Sequence, residues 1–211
     1  MNFLGAIIVT LLLLLSENYS FAASNLKTQL NHIAVQNKCY QVKQKFKHYE
    51  YEEAFRSDLV SIGNNQLLQK DAAMAFLSMK EAASKDGIYL QPISGFRSVN
   101  EQRYLFYEIA KQRKQTLEQR AKVSAPPGHS QHHTGFAIDL NSLNQSFAHT
   151  KAFAWLQKNA KKYEFYLSFP HNNPQGIAFE PWHWAWHGSE KAQQALHVEC
   201  SSGFHFTKLS H

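Results

Sequence analysis

The sequence predicts a single α+β domain, and three observations carry that reading. Residues 71–85 place apolar side chains at 72, 76, 79 and 83, which is one face of a helix. Residues 136–140, Phe-Ala-Ile-Asp-Leu, alternate with the period of a strand. Helices and strands follow one another without the regular alternation that a doubly wound parallel sheet would need, which favours α+β. The chain has 211 residues, 44% of them hydrophobic and 13% aromatic, enough for one sizeable core and too many for a disordered chain.

From the N-terminus, Phe3 to Leu15 is an almost wholly apolar run without charge. It is shorter than the roughly 20 residues that span a bilayer. With Ser20 and Ala22 behind it, it has the form of a signal peptide over residues 1–22. No Lys or Arg precedes the run, so an uncleaved anchor is the other reading. Cleavage after Ala22 implies export to the periplasm or cell envelope, with no stable membrane insertion afterwards. Residues 23–66 are expected as a helical extension and 67–211 as the principal domain.

Only Cys39 and Cys200 are present. In an exported chain they are a candidate disulfide, closing a loop of about 160 residues and contributing on the order of 4–5 kcal/mol. Two separate thiols are the alternative. Net charge is +6, and becomes +7 once residues 1–22, with Glu17 and no basic residue, are removed. The basic residues are dispersed and not interleaved with aromatics, which excludes a nucleic-acid module. A mildly basic exported protein is drawn to an anionic wall. The sequence is silent on oligomeric state.

Along the domain, Ile88 to Ile93 reads as a short strand ending in Ser94-Gly95-Phe96-Arg97. Ser98 and Glu101 form a capping box for a following helix, with Leu105 and Ile109 expected on its buried face. Lys111 to Lys122 is polar and leads to the loop Ala125-Pro126-Pro127-Gly128. Thr150 to Tyr163 is a helix with Phe153, Leu156 and Ala160 inward. Phe165 to Phe169 and Trp182 to Trp186 are strands, His171 to Gly176 a turn, and Glu190 to Leu196 a short helix.

Two stretches carry metal-binding chemistry. His132 and Asp139 are seven residues apart, roughly 23 Å if extended, whereas ligands share an ion through bonds of about 2.0–2.2 Å. The chain must bend between them, and Gly135 stands where the bend is needed. Beyond it, Phe136, Ile138 and Leu140 share one strand face, and Ala137 and Asp139 the other. In Glu180-Pro181-Trp182-His183-Trp184, His183 shares a face with Ala185 and His187, opposite the tryptophans. A solvated Asp139, surface-loop histidines and a tryptophan strand with incidental imidazoles satisfy the same spacings. If the two stretches do meet, two nitrogens and one carboxylate hold zinc and leave its fourth position for water, whose acidity the metal raises. Glu180 is then placed to accept the proton of that water. Arg97 is the candidate for stabilising the oxyanion.

Ser130-Gln131-His132-His133-Thr134-Gly135-Phe136-Ala137-Ile138-Asp139 fits the pattern SxHxxGxAxD. With Ser94-Gly95-Phe96-Arg97-Ser98 upstream and Glu180-Pro181-Trp182-His183 downstream, the region from about Leu67 to Gly188 resembles the VanY-type D-alanyl-D-alanine carboxypeptidases. The resemblance implies His132, Asp139 and His183 as zinc ligands, Glu180 as catalytic base, Arg97 as the group polarising the scissile carbonyl, and Ser130 as a contact to the terminal carboxylate of the substrate. It implies a small α+β domain with a central antiparallel sheet flanked by helices and the zinc site in a cleft on that sheet, places Gln102 in the same pocket and makes residues 67–211 the catalytic domain. The implied substrate is the peptidoglycan stem peptide, losing its terminal D-alanine. D,D, L,D and internal cuts all need the same polarised carbonyl and are not separated by these motifs. Where many relatives carry a basic residue before a proline, this chain has Ser168-Phe169-Pro170. A zinc-bearing module that grips wall peptides without cutting is the competing class; it predicts loss of the base or of the arginine, and both Glu180 and Arg97 are present.

Overall fold

The computed structural model describes residues 39–42 and 46–196. Cys200 and the apolar run of residues 3–15 lie outside the described residues, as does the side chain of Cys39, so the disulfide and signal-peptide expectations are not addressed by the fold. Among the described residues, no helix is long and apolar enough to cross a membrane.

Where the structure describes the stretch expected as a helical extension, it forms strands instead. β1 (Cys39–Val42) pairs antiparallel with β2 (Phe46–Tyr49), and β3 (Leu59–Gly63) with β4 (Gln66–Gln69). The reason for the second hairpin is local. Asn64 and Asn65 both take positive φ, 52° and 57°, which suits a two-residue turn of the primed type, and Asn tolerates that region better than most residues.

β4 runs directly into α1 (Lys70–Lys85), whose stripe Ala72, Phe76, Met79 and Ala83 is wholly buried. The central sheet has the order β5-β6-β8-β7 and is antiparallel throughout, with β5 (Pro92–Ser94), β6 (Ala137–Leu140), β7 (Phe165–Leu167) and β8 (His183–Trp186). Phe136, Ile138, Leu140, Trp184 and Trp186 join α1 and the inner face of α4 (Lys151–Asn159; Phe153 and Leu156) in one core. The Phe136 and Trp186 rings stack at 5.9 Å. Burying these large side chains at about 25 cal/mol per Å² is the main source of stability.

The other face of the sheet carries the polar residues. Register fixes this: Asp139 pairs with Ser94 on one side and His183 on the other. Directly paired residues point to the same face, so Ser94, Asp139 and His183 form a row across three strands.

α2 opens at the capping box of Ser98 and Glu101 as Val99–Arg103, widens into a π turn at Tyr104–Glu108 and continues as Ile109–Gln112. Its buried line is Gln102, Phe106 and Ala110; Leu105 and Ile109 are only half-buried and line the cleft described below. The polar stretch after it holds a helix the sequence reading passed over, α3 (Leu117–Ala121), started by a second capping box between Thr116 and Gln119. α5 (Glu190–Leu196) closes the described chain.

Gly95, just beyond β5, lies against β4. A Cβ there would collide with the carbonyl oxygen of Leu67, which accepts the Phe96 N–H at 2.7 Å. Backbone cannot swing aside as a side chain can. We expect Gly95→Ala to lower stability by roughly 2–4 kcal/mol, measured by urea denaturation. Unchanged stability would mean that β4 and the Gly95 turn part without cost.

Candidate metal centre

His132 reaches the polar face of the sheet by a tight route. Ser130 caps a short 3-10 helix, Gln131–Thr134, which ends at Gly135 with φ of 69°. A Cβ on Gly135 would lie 2.8 Å from the end of the Leu59 side chain, which can give way, so it is the left-handed backbone that calls for glycine here. The turn is fastened from several sides. Gln69 N–H donates to Gly135 O at 2.9 Å, Arg97 N–H to His132 O at 3.1 Å and Ala54 N–H to His133 O at 2.8 Å. His133 completes the fastening: its Nδ1 donates to Arg97 O at 2.6 Å, and its Nε2 accepts from Gly128 N–H at 3.1 Å. It is a structural clamp and not a ligand. His129 contacts the Pro127 carbonyl, and His187 lies edge-on to Tyr166 outside the cleft.

His132, Asp139 and His183 are all buried and offer ligand atoms within 4.8 Å of one another. His132 Nδ1 donates to Gly95 O at 2.7 Å, so its Nε2 carries a lone pair. That lone pair faces Asp139 Oδ2 at 3.2 Å. His183 stands between two acceptors, with Nε2 2.9 Å from Gln131 Oε1 and Nδ1 2.9 Å from Asp139 Oδ1. Donation from Nε2 to Gln131 turns the Nδ1 lone pair toward the same carboxylate. Electron-rich atoms converging in a buried space repel unless a cation lies among them. The two imidazole–carboxylate separations, 3.2 and 2.9 Å, are close to the roughly 3.3 Å edge of a tetrahedron with 2.0–2.1 Å bonds, and all three ligand atoms lie within 4.8 Å of one another. The residues therefore fit a divalent metal.

The electrostatics agree. Burial holds the His132 imidazole down to about 4, with the Arg97 charge acting the same way, so it is neutral and ligand-competent at neutral pH. Burial alone would raise the Asp139 carboxyl, but the adjacent imidazoles hold it well below the usual carboxylate range. Glu180 lies at the edge of this cluster, Oε2 3.9 Å from His183 Nδ1. Burial pushes its carboxyl up to about 7, and neighbouring Asp139 adds to the rise.

Arg97 is the cation of the site. Its Nη2 donates to Ser94 Oγ at 2.7 Å and lies 3.7 Å from Asp139 Oδ2, while its Nη1 donates to Gln102 Oε1 at 2.8 Å. The Gln102 amide nitrogen is spent on Ala125 O at 2.6 Å and Ser124 Oγ at 3.2 Å. Gln102 lines the cleft as expected, and its side chain also fixes the guanidinium of Arg97 and ties it to the loop. Ser130, also buried, lines the same cleft as Arg97, Glu180 and the three candidate ligands, a cavity of about 580 Å³. Phe169, at the point of departure from the family pattern, also lines it and packs against His183 at 5.0 Å.

The sequence reading missed Gln131, whose only signal is its place between Ser130 and His132. We expect His132→Ala and Asp139→Asn to abolish stoichiometric binding of a divalent metal, measured by metal analysis of the dialysed protein. Gln131→Ala should weaken that binding about 10–100-fold, through loss of the partner that orients His183.

Known proteins place this geometry. The profile of the VanY family, D-alanyl-D-alanine carboxypeptidase, matches residues 65–189. YodJ of Bacillus subtilis (strain 168), named as a carboxypeptidase, is 36% identical over 135 residues, which are 60% of this chain and 48% of YodJ. The chain spans about half the length of the curated relatives it matches. The LdcB LD-carboxypeptidase structure superposes with a TM-score of 0.58 and 31% identity, covering 67% of this chain and 74% of that one. A variant of the vancomycin-resistance D,D-pentapeptidase VanY, solved in complex with Zn(II), gives 0.54 and 25%, covering 68% and 84%. The clustered His132, Asp139 and His183 thus sit in a chain that belongs to the VanY family of D-alanyl-D-alanine carboxypeptidases.

Proposed function

We propose that the protein is an exported zinc carboxypeptidase that removes a C-terminal D-alanine from peptidoglycan stem peptides. The observation that carries this reading is the placement of Glu180 and Arg97 on either side of a buried cluster of three ligands whose lone pairs converge. Zinc held by His132, Asp139 and His183 would supply Lewis acidity to a water molecule and to the scissile carbonyl. The remaining work falls to the protein.

Glu180 is not among the converging ligands, so its carboxylate is available to take the proton of the attacking water. It then returns that proton to the leaving amine, whose departure as the free amino acid completes the cut. Arg97, fixed by Ser94 and Gln102, presents a preorganised positive charge to the oxygen that becomes negative as the carbonyl is attacked. Ser130 lies in the cleft wall where the terminal carboxylate of the substrate would sit. The apolar lining from Phe169, Phe179 and Trp182 excludes water from the rest of the peptide.

The test is incubation of a purified muropeptide digest with the zinc-loaded protein, followed by mass spectrometry. Loss of one terminal D-alanine is expected, and the stem length that loses it fixes the D,D or L,D class. Glu180→Gln should keep its zinc while kcat falls by about 10²–10⁴-fold. Stoichiometric zinc with no release from any muropeptide would overturn the reading in favour of a binding module. Activity that survives thorough chelation would remove the metal from the mechanism.

A further inference from the structure

One buried charge in the cleft is not accounted for by the metal cluster. Arg120, on α3, is 7% exposed. Its Nε and Nη2 both donate to a single acceptor, the Leu105 carbonyl in the π turn, at 3.0 and 2.7 Å. Among the described residues no carboxylate pairs with it. One carbonyl dipole does not balance a guanidinium withdrawn from water. Burial, then the charges of Arg113 and Arg97, disfavour its protonated form.

Arg120 belongs to the wall of the same cleft as the metal cluster. So does Gln115, whose Oε1 is buried without a hydrogen-bond partner. Arg113 also lines the cleft. Among the described residues, the only carboxylates in the lining are Asp139 and Glu180, and both belong to the candidate metal cluster and its edge. The wall built by residues 113–120 therefore offers unbalanced positive charge and an unused acceptor.

We propose that Arg120 is a specificity-determining residue that binds a carboxylate carried by the substrate upstream of the scissile bond, with Gln115 Oε1 accepting a peptide N–H beside it. The ligand class is an acidic peptide: one bearing a free carboxylate in addition to its C-terminal one. This rests on the carboxypeptidase reading and adds to it the part of the peptide that is recognised. Arg97 and the zinc ligands act on the bond that breaks; Arg120 selects which peptide reaches them.

The test uses two synthetic stem pentapeptides, identical except that every carboxyl upstream of the scissile bond is free in one and a carboxamide in the other. D-Alanine release gives kcat and KM, and calorimetry gives affinity. For the wild type, KM is expected to be about 10–100-fold lower for the acid peptide, with kcat within about twofold, as for loss of one charge-assisted hydrogen-bonded pair. Arg120→Gln should erase that preference while leaving KM for the carboxamide peptide unchanged; Arg120→Lys should retain part of it. Equal KM for the two peptides in the wild type overturns the proposal without any variant. A loss in Arg120→Gln that is the same for both peptides also overturns it, since that is the signature of a merely structural arginine. If neither these pentapeptides nor the matching pair of tetrapeptides is cut, the carboxypeptidase reading fails separately, and calorimetry decides this one. Tighter binding of the acid peptide, abolished in Arg120→Gln, sustains it; equal binding, or none, ends it.

Discussion

The arrangement depends on lone pairs forced together at one point on the polar face of the sheet. Asp139 is held in the middle of a strand with neighbours on both sides, and register sets His183 directly opposite it. His132 comes from outside the sheet, carried on the turn that ends at Gly135. Each imidazole has its outer nitrogen engaged, at Gly95 O for His132 and Gln131 Oε1 for His183. The inner nitrogens then have one orientation available, toward the carboxylate. Such a cluster is costly without a cation and strongly binding with one, because burial raises the energy of every uncompensated charge. The core on the opposite face, with Trp184, Trp186 and Ile138, offsets that cost.

The same turn links the candidate metal ligands to Arg97. Arg97 N–H donates to His132 O, and the Arg97 carbonyl accepts from His133 Nδ1. The backbone that positions a ligand thus positions the guanidinium, and neither can shift alone. Gln102 extends the linkage to the loop at Ala125, so that part of the cleft wall and Arg97 share one hydrogen-bonded frame.

Much of this was legible in the sequence, for a local reason. The period of 136–140, the aromatic alternation of 182–186 and the single glycine between His132 and Asp139 are short-range signals, and they point to the elements on which the structure brings His132, Asp139 and His183 together. The capping box at Ser98 was legible on the same grounds, and so was Thr116 with Gln119, which went unread because the stretch around it looked uniformly polar. Before residue 66 the expected helix gives way to strands, and the one local sequence signal for them is the double-Asn turn at 64–65 that joins β3 to β4. Other features have no short-range signature. Nothing near Gln131 says that its amide meets an imidazole 52 positions away, and nothing near Gln102 says that its amide faces inward to hold Arg97. Arg120 looked like one of several dispersed basic residues; its burial is set by α2 folding over it.

The cleft combines two requirements that pull against each other. On the proposed function, a carbonyl must meet a metal cluster dry enough for its charges to act strongly, while the substrate would be a polar peptide that arrives hydrated. A wall that is apolar around Phe169, Phe179 and Trp182, and polar again at Arg113, Gln115 and Arg120, meets both. The apolar middle strips water from the peptide near the bond to be cut, while the polar far wall replaces the hydration that more distant groups lose. On this view the long cleft is not surplus volume beyond the metal. It lets binding energy gathered away from the reacting bond hold that bond in place against Glu180 and Arg97, which is where orientation is converted into rate.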